Sequence, residues 1–215
     1  DFALQAHGIG IITCNEIQRG CNGAVNTMAL LLMQVFWLFL PAGVANMAPV
    51  LFRWLPVADV PVDFGFAVRG ERIFGQHKTY RGFIAGILSA AAIVYFQKIV
   101  YPSLPQFALL DYSQVNVWLL GFILGGGALF GDLIKSFFKR RFHIADGESW
   151  VPFDQIDWIV GAILASSFVV TLDYKTVFIA IVMFGILHPI VNVAGYYAGF
   201  RAEKGASVAP VSRKQ

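Results

Sequence analysis

Residues 115–157 read VNVWLLGFILGGGALFGDLIKSFFKRRFHIADGESWVPFDQID, an apolar run that changes abruptly into a dense series of acids and bases. The apolar part, from Val115 to about Gly131, is close to the roughly 20 residues that a helix needs to cross a bilayer. The charged part follows in a chain of which only 13% of the residues are charged. Because ionisable groups at a membrane edge are costly, this concentration indicates a functional site.

The chain as a whole is strongly apolar. Of the 215 residues, 57% are hydrophobic, and the mean hydropathy of +0.65 exceeds that of a soluble domain. Five apolar segments are predicted to span a membrane: 29–55, 82–101, 115–131, 156–172 and 176–200. We therefore expect an all-α, polytopic membrane protein with about five transmembrane helices. The first and last are expected to be broken, because they contain Pro41, Pro49 and Pro189.

Basic residues predict the orientation of these spans. They follow the first span, the third span and the last span: Arg69, Arg72, Lys78 and Arg81; Lys135, Lys139, Arg140 and Arg141; Arg201, Lys204, Arg213 and Lys214. The other side has only Arg19, Lys98 and Lys175. The positive-inside rule then predicts a multi-pass protein of the cell membrane with its N-terminus outside and both charged loops in the cytoplasm. Since the basic residues follow the membrane edges, no nucleic-acid-binding surface is expected.

The end of the third span carries polar residues at helical spacing. If the helix continues past Gly131, one face of it receives Asp132, Lys135, Ser136, Lys139 and His143. The alternative is a solvated helix end with ordinary ion pairs. A second alternative, most suitable for Arg141, is that the basic run from Lys139 to Arg141 anchors the helix to anionic lipid headgroups.

The start of the fourth span carries two acids one helical turn apart, Asp154 and Asp157, just after Pro152. Helix capping is the simpler explanation for either one. It accounts less well for Asp146 and Glu148 upstream. Carboxylates that lie this close need a cation, and Mg²⁺ prefers oxygen ligands and retains phosphates of the substrate.

The first charged loop supplies Arg72, Lys78 and Arg81 among glycines, a composition that can bind phosphates through guanidinium and backbone N–H groups. Ordinary positive-inside charge is the alternative. The chain has no P-loop pattern and no Gly-x-Ser-x-Gly. The sequence thus favours metal-assisted phosphoryl or nucleotidyl transfer over acyl transfer.

At this point the motifs resemble those of the membrane CTP-transferring cytidylyltransferases, and most closely the archaeal-type branch, the CDP-archaeol synthase family. The similar blocks are Asn46-x-x-Pro49, Asp63-x-Gly65, Arg72-Ile-Phe-Gly75-x-x-Lys78-Thr79-Tyr80-Arg81-Gly82, Gly131-Asp132-x-x-Lys135-Ser136, Lys139-Arg140-Arg141 and Asp154-Gln155-Ile156-Asp157. The chain departs from the broader bacterial pattern at Ala145, where a Lys would precede the Asp, and at Gln155, where Arg or Lys is usual. Gln155 favours the archaeal-type branch.

The resemblance implies a reaction in which CTP and an acidic phospholipid give a CDP-lipid and pyrophosphate. It implies Mg²⁺ held by Asp132, Asp146, Asp154 and Asp157. It implies catalytic roles for Lys135, Lys139, Arg140, Asp154 and Asp157, and CTP or headgroup contacts from Asn46, Arg72, Lys78, Thr79, Arg81 and Ser136. The expected partners are CTP, the lipid substrate and the bilayer, with a homodimer left open.

Two questions stay open at the level of sequence. The lipid is expected to be a 2,3-di-O-geranylgeranylglycerol phosphate-type ether lipid, with diacyl phosphatidic acid as the alternative. A small membrane transporter is the alternative from another class, but it would spread polar residues along helix interiors, where only Asn46, His188 and Asn192 lie deep. The expected division is an extracytoplasmic, poorly ordered tail (1–27), one transmembrane catalytic domain (28–201) and a cytoplasmic tail (202–215).

Overall fold

The computed structural model of the chain describes residues 12–13, 27–68, 70–145 and 148–197. Most of them lie in five helices: α1 (Thr27–Leu51), α2 (Tyr80–Val100), α3 (Val117–Arg141), α4 (Phe153–Ser166) and α5 (Tyr174–Tyr197). The shorter elements are β1 (Ile12–Thr13), β2 (Ala67–Val68), β3 (Glu71–Arg72), β4 (Val170–Thr171) and a 3-10 helix, η1 (Pro105–Phe107). β2 and β3 form an antiparallel hairpin, and β1 pairs in parallel with β4. The all-α expectation is confirmed. The division into one domain and two tails stays a prediction, because the tails lie almost wholly outside the described residues.

Consecutive helices run in opposite directions. Gly86 of α2 packs against Leu129 of α3, and Ala90 packs against Gly125, so residue numbers rise along one helix as they fall along the other. The same pattern relates α3 to α4. One end of the bundle, here called the charged end, therefore gathers the end of α1, the start of α2, the end of α3, the start of α4 and the end of α5.

Among the described residues, four helices are long and apolar enough to cross a membrane: Met28–Leu51, Tyr80–Val100, Val117–Arg141 and Tyr174–Gly195. α4 has 14 residues, about 21 Å at 1.5 Å per residue, which is shorter than the roughly 30 Å of a bilayer's hydrocarbon core. A turn and β4 continue the chain to the end opposite the charged end. The polytopic architecture is thus confirmed, with a fourth segment whose helical part is shorter than the predicted span of 156–172.

The prolines do not break the first and last helices, contrary to the sequence-based expectation. α1 contains Pro41 and Pro49, α5 contains Pro189, and both helices are continuous across them. Proline is tolerated in membrane helices because neighbouring groups can satisfy the backbone it frees. Pro41 is fully buried in the bundle, which is consistent with support from its neighbours.

Glycines set the distance between α3 and α4. A Cβ atom at Gly127 would overlap Ala165, and one at Gly131 would overlap the carbonyl oxygen of Asp157. Gly161 of α4 faces both glycines just as closely. Small residues allow this approach in membrane helices, and here the approach brings the charged parts of α3 and α4 together.

We predict that Gly127→Val lowers the free energy of unfolding by about 1–3 kcal/mol, because added methyl groups force packed helices apart. Gly126→Val is the matched control, since a Cβ atom there meets open space while the change in backbone freedom is the same. Thermal unfolding in detergent, followed by tryptophan fluorescence, measures both variants. Equal stabilities would contradict close packing as the reason for glycine at position 127.

Candidate active site

The polar face of α3 lies at the charged end because the helix continues as far as Arg141. Four of the predicted residues follow one another along it: Asp132, Lys135, Ser136 and Lys139. His143 does not belong to this face, since it lies beyond the helix with a φ of 56°, in the left-handed region. The predicted stripe is therefore four residues long.

The ammonium group of Lys135 joins α3 to the acidic first turns of α4. Its Nζ lies 3.0 Å from a carboxylate oxygen of Asp132, 3.1 Å from one of Asp154 and 2.8 Å from one of Asp157. The side chains of Lys135 and Asp157 are only 14% and 6% exposed. Ion pairs this secluded are screened far less by salt than surface pairs are.

Two further lysines complete the group. Lys78, just before α2, pairs with Asp132. The Nζ of Lys139 lies 3.2 Å from both carboxylate oxygens of Asp154 and also donates to the carbonyl oxygen of Glu148. Three aspartates are thus matched by three lysines. We name this set the Lys–Asp cluster: Lys78, Asp132, Lys135, Lys139, Asp154 and Asp157.

The predicted magnesium ligands meet in this cluster, except Asp146, which lies outside the described residues. Carboxylate oxygens are the donors that Mg²⁺ prefers, so the donor chemistry of Asp132, Asp154 and Asp157 fits that ion. In the described part of the chain, however, no three acidic, histidine or cysteine side chains surround a single ion position. Their oxygens face lysine ammonium groups instead.

The loop between α1 and α2 is organised around Asp63, a buried residue that the sequence reading did not place in the site. Its carboxylate accepts hydrogen bonds from the Arg72 guanidinium and from the backbone N–H groups of Gly65, Phe74 and Gly75, the last three at 3.0, 3.1 and 3.4 Å. Burial opposes ionisation of Asp63, but the bonds from Arg72 and the backbone outweigh it and hold its pKa below the ordinary value.

Backbone hydrogen bonds then hold this loop against the start of α2, next to the site. The N–H of Val62 donates to the carbonyl oxygen of Lys78 at 2.7 Å, and the N–H of Tyr80 donates to that of Val60 at 3.0 Å. The loop therefore lies against the start of α2, and the Lys78 side chain is held where it reaches Asp132.

Arg141 clamps the same loop to the end of α3. Its guanidinium donates to the carbonyl oxygens of Val68 and Arg72 at 2.8 Å and of Glu71 at 3.2 Å, and its Cζ lies 5.3 Å from the centre of the Phe137 ring. The structure does not favour the lipid-anchor alternative for Arg141, because these N–H groups face protein carbonyls. No local sequence pattern signals such a contact.

Other predicted CTP-binding residues also have partners within the protein. Arg81 lies 2.7 Å from Asp59. The hydroxyl of Thr79 caps α2 by accepting a backbone N–H at 3.3 Å, and Ser136 donates to the carbonyl one turn earlier at 2.8 Å. Arg140, the remaining predicted catalytic residue, is buried at the end of α3. These side chains stabilise the walls of the site, and their contacts with CTP stay predictions.

A cavity of about 350 Å³ lies between α1, α4 and α5. Apart from its apolar lining it contains Asn46, His188 and Asn192, the three polar residues that the sequence places deep in the membrane. Trp158 forms part of its wall and directly follows Asp157 of the cluster. The structure therefore places Asn46 outside the Lys–Asp cluster, in a largely apolar cavity that Trp158 helps to line.

Comparison with known proteins gives concordant results. The CarS-like family model, described as CDP-archaeol synthase, matches residues 28–203. The CDP-archaeol synthase of Pyrococcus furiosus is 36% identical over 166 residues, 77% of this chain and 93% of that protein. That of Methanoculleus marisnigri is 37% identical over 172 residues, 75% of this chain and 97% of the other. A solved structure described as an intramembrane enzyme for archaeal membrane lipid biosynthesis is 28% identical, with a TM-score of 0.60 over 74% of this chain and 92% of that one.

Removing the central ammonium group should destabilise the cluster. Lys135→Met is expected to cost about 3 kcal/mol of folding free energy, since it leaves the buried carboxylate of Asp157 without its lysine partner. Adding Asp157→Asn removes that charge, so the double variant should regain part of the loss. A double-mutant cycle on unfolding in detergent measures this coupling. Strictly additive effects would contradict a shared ion pair.

The contribution of Asp63 should depend on pH. Because its pKa is lower in the folded state, its stabilisation is complete above the unfolded-state pKa of about 4 and disappears as the pH falls through the folded-state pKa. Asp63→Asn should therefore lower the melting temperature clearly at pH 7, and this effect should shrink steadily as the pH falls below about 4. Asp59→Asn is the control: its side chain is 59% exposed, and its surface pair should be worth less than about 1 kcal/mol. Equal losses in the two variants at pH 7 would contradict the role of Asp63.

Proposed function

The chain belongs to the CDP-archaeol synthase family, and from this premise we propose that it transfers CMP from CTP to an ether-linked isoprenoid glycerol phosphate. It is a membrane-embedded, CTP-dependent lipid cytidylyltransferase, and the resemblance drawn from its motifs is confirmed. The observation that carries the lipid proposal is the position of the Lys–Asp cluster. Asp157 of the cluster is followed in α4 by Trp158, which lines an apolar cavity between membrane helices, and this proximity supports a site that receives a triphosphate and a lipid together.

The lysines of the cluster are the proposed partners of the triphosphate. Lys78, Lys135 and Lys139 come from two elements and converge on one point, where their ammonium groups now neutralise carboxylates. Arg140 is proposed to add a fourth positive charge. Arg72, Thr79, Arg81 and Ser136 are proposed CTP contacts, and their partners in the structure keep the surrounding walls in place.

Mg²⁺ is the proposed cofactor, held by Asp132, Asp154 and Asp157, with Asp146 as a further proposed ligand. When bound, the ion would offset part of the negative charge of the triphosphate. The lysines that now pair with these aspartates would then be available to phosphate oxygens. The carboxylate donor set supports this assignment.

The proposed reaction is a single displacement. An oxygen of the lipid phosphate attacks the α-phosphorus of CTP and forms a new P–O bond. The bond from that phosphorus to the bridging oxygen breaks, and pyrophosphate leaves with the electron pair. The protein forms no covalent bond in this scheme, so its residues act by positioning and by neutralising charge.

The cavity between α1, α4 and α5 is the proposed lipid site. Its apolar lining suits hydrocarbon chains, and Asn46 is proposed to supply polar contacts to the glycerol backbone. A second apolar groove along α1 and α5, which shares Leu187 with the cavity, extends away from the charged end past Phe178. Long chains could lie along this seam. Family membership, and no single pocket residue, is what favours ether-linked isoprenoid chains over acyl chains.

The site is proposed to face the cytoplasm, where CTP is available. The basic residues of the charged end support this orientation under the positive-inside rule. The N-terminus would then lie outside the cell membrane. A homodimer stays a prediction.

The direct test is to incubate the purified protein with radiolabelled CTP, Mg²⁺ and each candidate lipid while measuring pyrophosphate release. We expect a labelled CDP-lipid, formed faster from the ether-linked isoprenoid phosphate than from diacyl phosphatidic acid. Asp154→Asn and Asp157→Asn should each lower the rate by roughly 100-fold, as loss of a key electrostatic group does. Asp111→Asn, in the loop at the opposite end of the bundle, is the control and should leave the rate unchanged.

The outcomes separate the parts of this proposal. Release with neither lipid would contradict the substrate assignment. Equal rates with both lipids would contradict ether specificity alone. Near-normal rates in both aspartate variants would contradict the assigned roles of the Lys–Asp cluster.

A further inference from the structure

The loop between α1 and α2 carries apolar side chains on the outside of the wall that it forms. Trp54, Val57, Val60 and Phe64 are 73%, 68%, 47% and 65% exposed. We name these four residues the interfacial patch. Within the same loop Asp63 is buried among hydrogen-bond donors of the loop itself, whereas these four side chains are exposed. Four large apolar side chains exposed within eleven residues of one loop indicate a contact surface.

The patch lies where two spanning helices end. α1 ends at Leu51, three residues before Trp54, and α2 begins at Tyr80. The ring centre of Phe64 lies 5.5 Å from that of Tyr80, and the N–H of Tyr80 donates to the carbonyl oxygen of Val60 at 3.0 Å. The patch is therefore fixed at the level of the first turn of α2 and does not project far from the bundle.

The backbone at Phe64 is held in an unfavourable conformation. Its φ is 49°, in the left-handed region that bulky residues rarely adopt. The adjacent N–H of Gly65 is bound to the Asp63 carboxylate, which helps to hold this geometry. The Phe64 side chain is mostly exposed, so burial of its ring against a surface outside the protein would add a further favourable contribution.

The chemistry around the patch identifies its partner. Tryptophan and tyrosine concentrate at the membrane interface, where their rings reach the level of the headgroups. Arg53, also exposed, precedes Trp54, and basic side chains in such a place attract anionic headgroups. The exposed acid of this stretch, Asp59, has its charge paired with Arg81. Aromatic and aliphatic residues with a basic neighbour, next to the ends of two spanning helices, fit a lipid surface.

We propose that the loop between α1 and α2 is embedded in the bilayer interface at the charged end, with the interfacial patch among the headgroups and the first acyl carbons. The loop thereby holds Lys78 at the depth of the lipid phosphates. An acidic lipid could then present its phosphate to the site without leaving the bilayer. This consequence for catalysis depends on the proposed function, whereas the insertion of the loop does not.

The test measures the depth of single spin labels in nanodiscs of phosphatidylcholine and phosphatidylglycerol. Cys14 and Cys21 are first replaced by Ser, and labels are attached to Val57→Cys and Phe64→Cys. Gln76→Cys is the matched control, because Gln76 is an exposed polar residue of the same loop. Accessibility to dissolved oxygen, which prefers the bilayer, is compared with accessibility to a water-soluble nickel chelate.

The labels at positions 57 and 64 should be at least several-fold more accessible to oxygen than to the chelate, and the label at 76 should show the reverse. Equal chelate accessibility at all three positions would overturn the proposal, because the patch would then lie in water. Protection of positions 57 and 64 from both agents would also overturn it, since a protein partner or a second copy would then cover the patch.

A kinetic arm tests the consequence for catalysis. The double variant Trp54→Ser, Phe64→Ser should raise the apparent KM for a lipid substrate presented in nanodiscs roughly tenfold, a loss of about 1.4 kcal/mol of interaction. Its KM for CTP should stay unchanged. An unchanged lipid KM would overturn the catalytic consequence, and the spin labels would still decide insertion. Absence of any transfer in the unsubstituted protein would instead count against the proposed function.

Discussion

Three carboxylates share the ammonium group of Lys135 at the point where α3 meets the start of α4, and the structure around them keeps this contact intact. Charges in such a secluded place are costly when unpaired, so the two helices must stay close. Gly127 and Gly131 of α3 and Gly161 of α4 permit that approach, because a side chain at any of these positions would push the helices apart. The apolar interior of the bundle therefore sets the geometry of the polar site.

Lys78, the lysine of the cluster that does not lie on α3, is held in place by different contacts. Lys78 belongs to a loop, and loops are mobile unless something fixes them. Asp63 fixes this loop from within through four hydrogen-bond donors, and Arg141 fixes it from the end of α3 through three backbone carbonyls. Neither residue touches the cluster. Asp63 and Arg141 together hold the loop, and thus Lys78, in a fixed position, as α3 does for Lys135.

Features that depend on residues close together in the chain could be predicted from the sequence. Hydropathy identified the spans, and helical spacing placed Asp132, Lys135 and Lys139 on one face. Contacts between residues far apart in the chain could not be predicted in this way. Arg141, for example, donates to carbonyl groups 69 to 73 residues earlier in the chain, and no periodic pattern in the sequence indicates this.

Two further features depend on tertiary structure. Asn46, His188 and Asn192 share a cavity only because α1 and α5 lie side by side. The prolines were misread as breaks, because in a packed membrane bundle neighbouring helices stabilise a continuous helix around them. Asp146 lies outside the described residues, and its role as a metal ligand stays a prediction.

The two proposed substrates come from different phases, and this constrains where the site can be. A triphosphate cannot enter the hydrocarbon core, and lipid chains gain nothing by leaving it. Asp157 of the cluster is followed directly in α4 by Trp158, which lines the cavity, so adjacent residues supply the acidic part and the apolar part of the proposed site. The aspartates already have lysine partners before any substrate binds. In the proposed reaction, CTP and Mg²⁺ would replace ion pairs that exist, so no uncompensated charge is buried at any stage. Because each aspartate is paired with a lysine before CTP binds, the free-energy cost of placing charged groups at the membrane edge stays low throughout the proposed reaction.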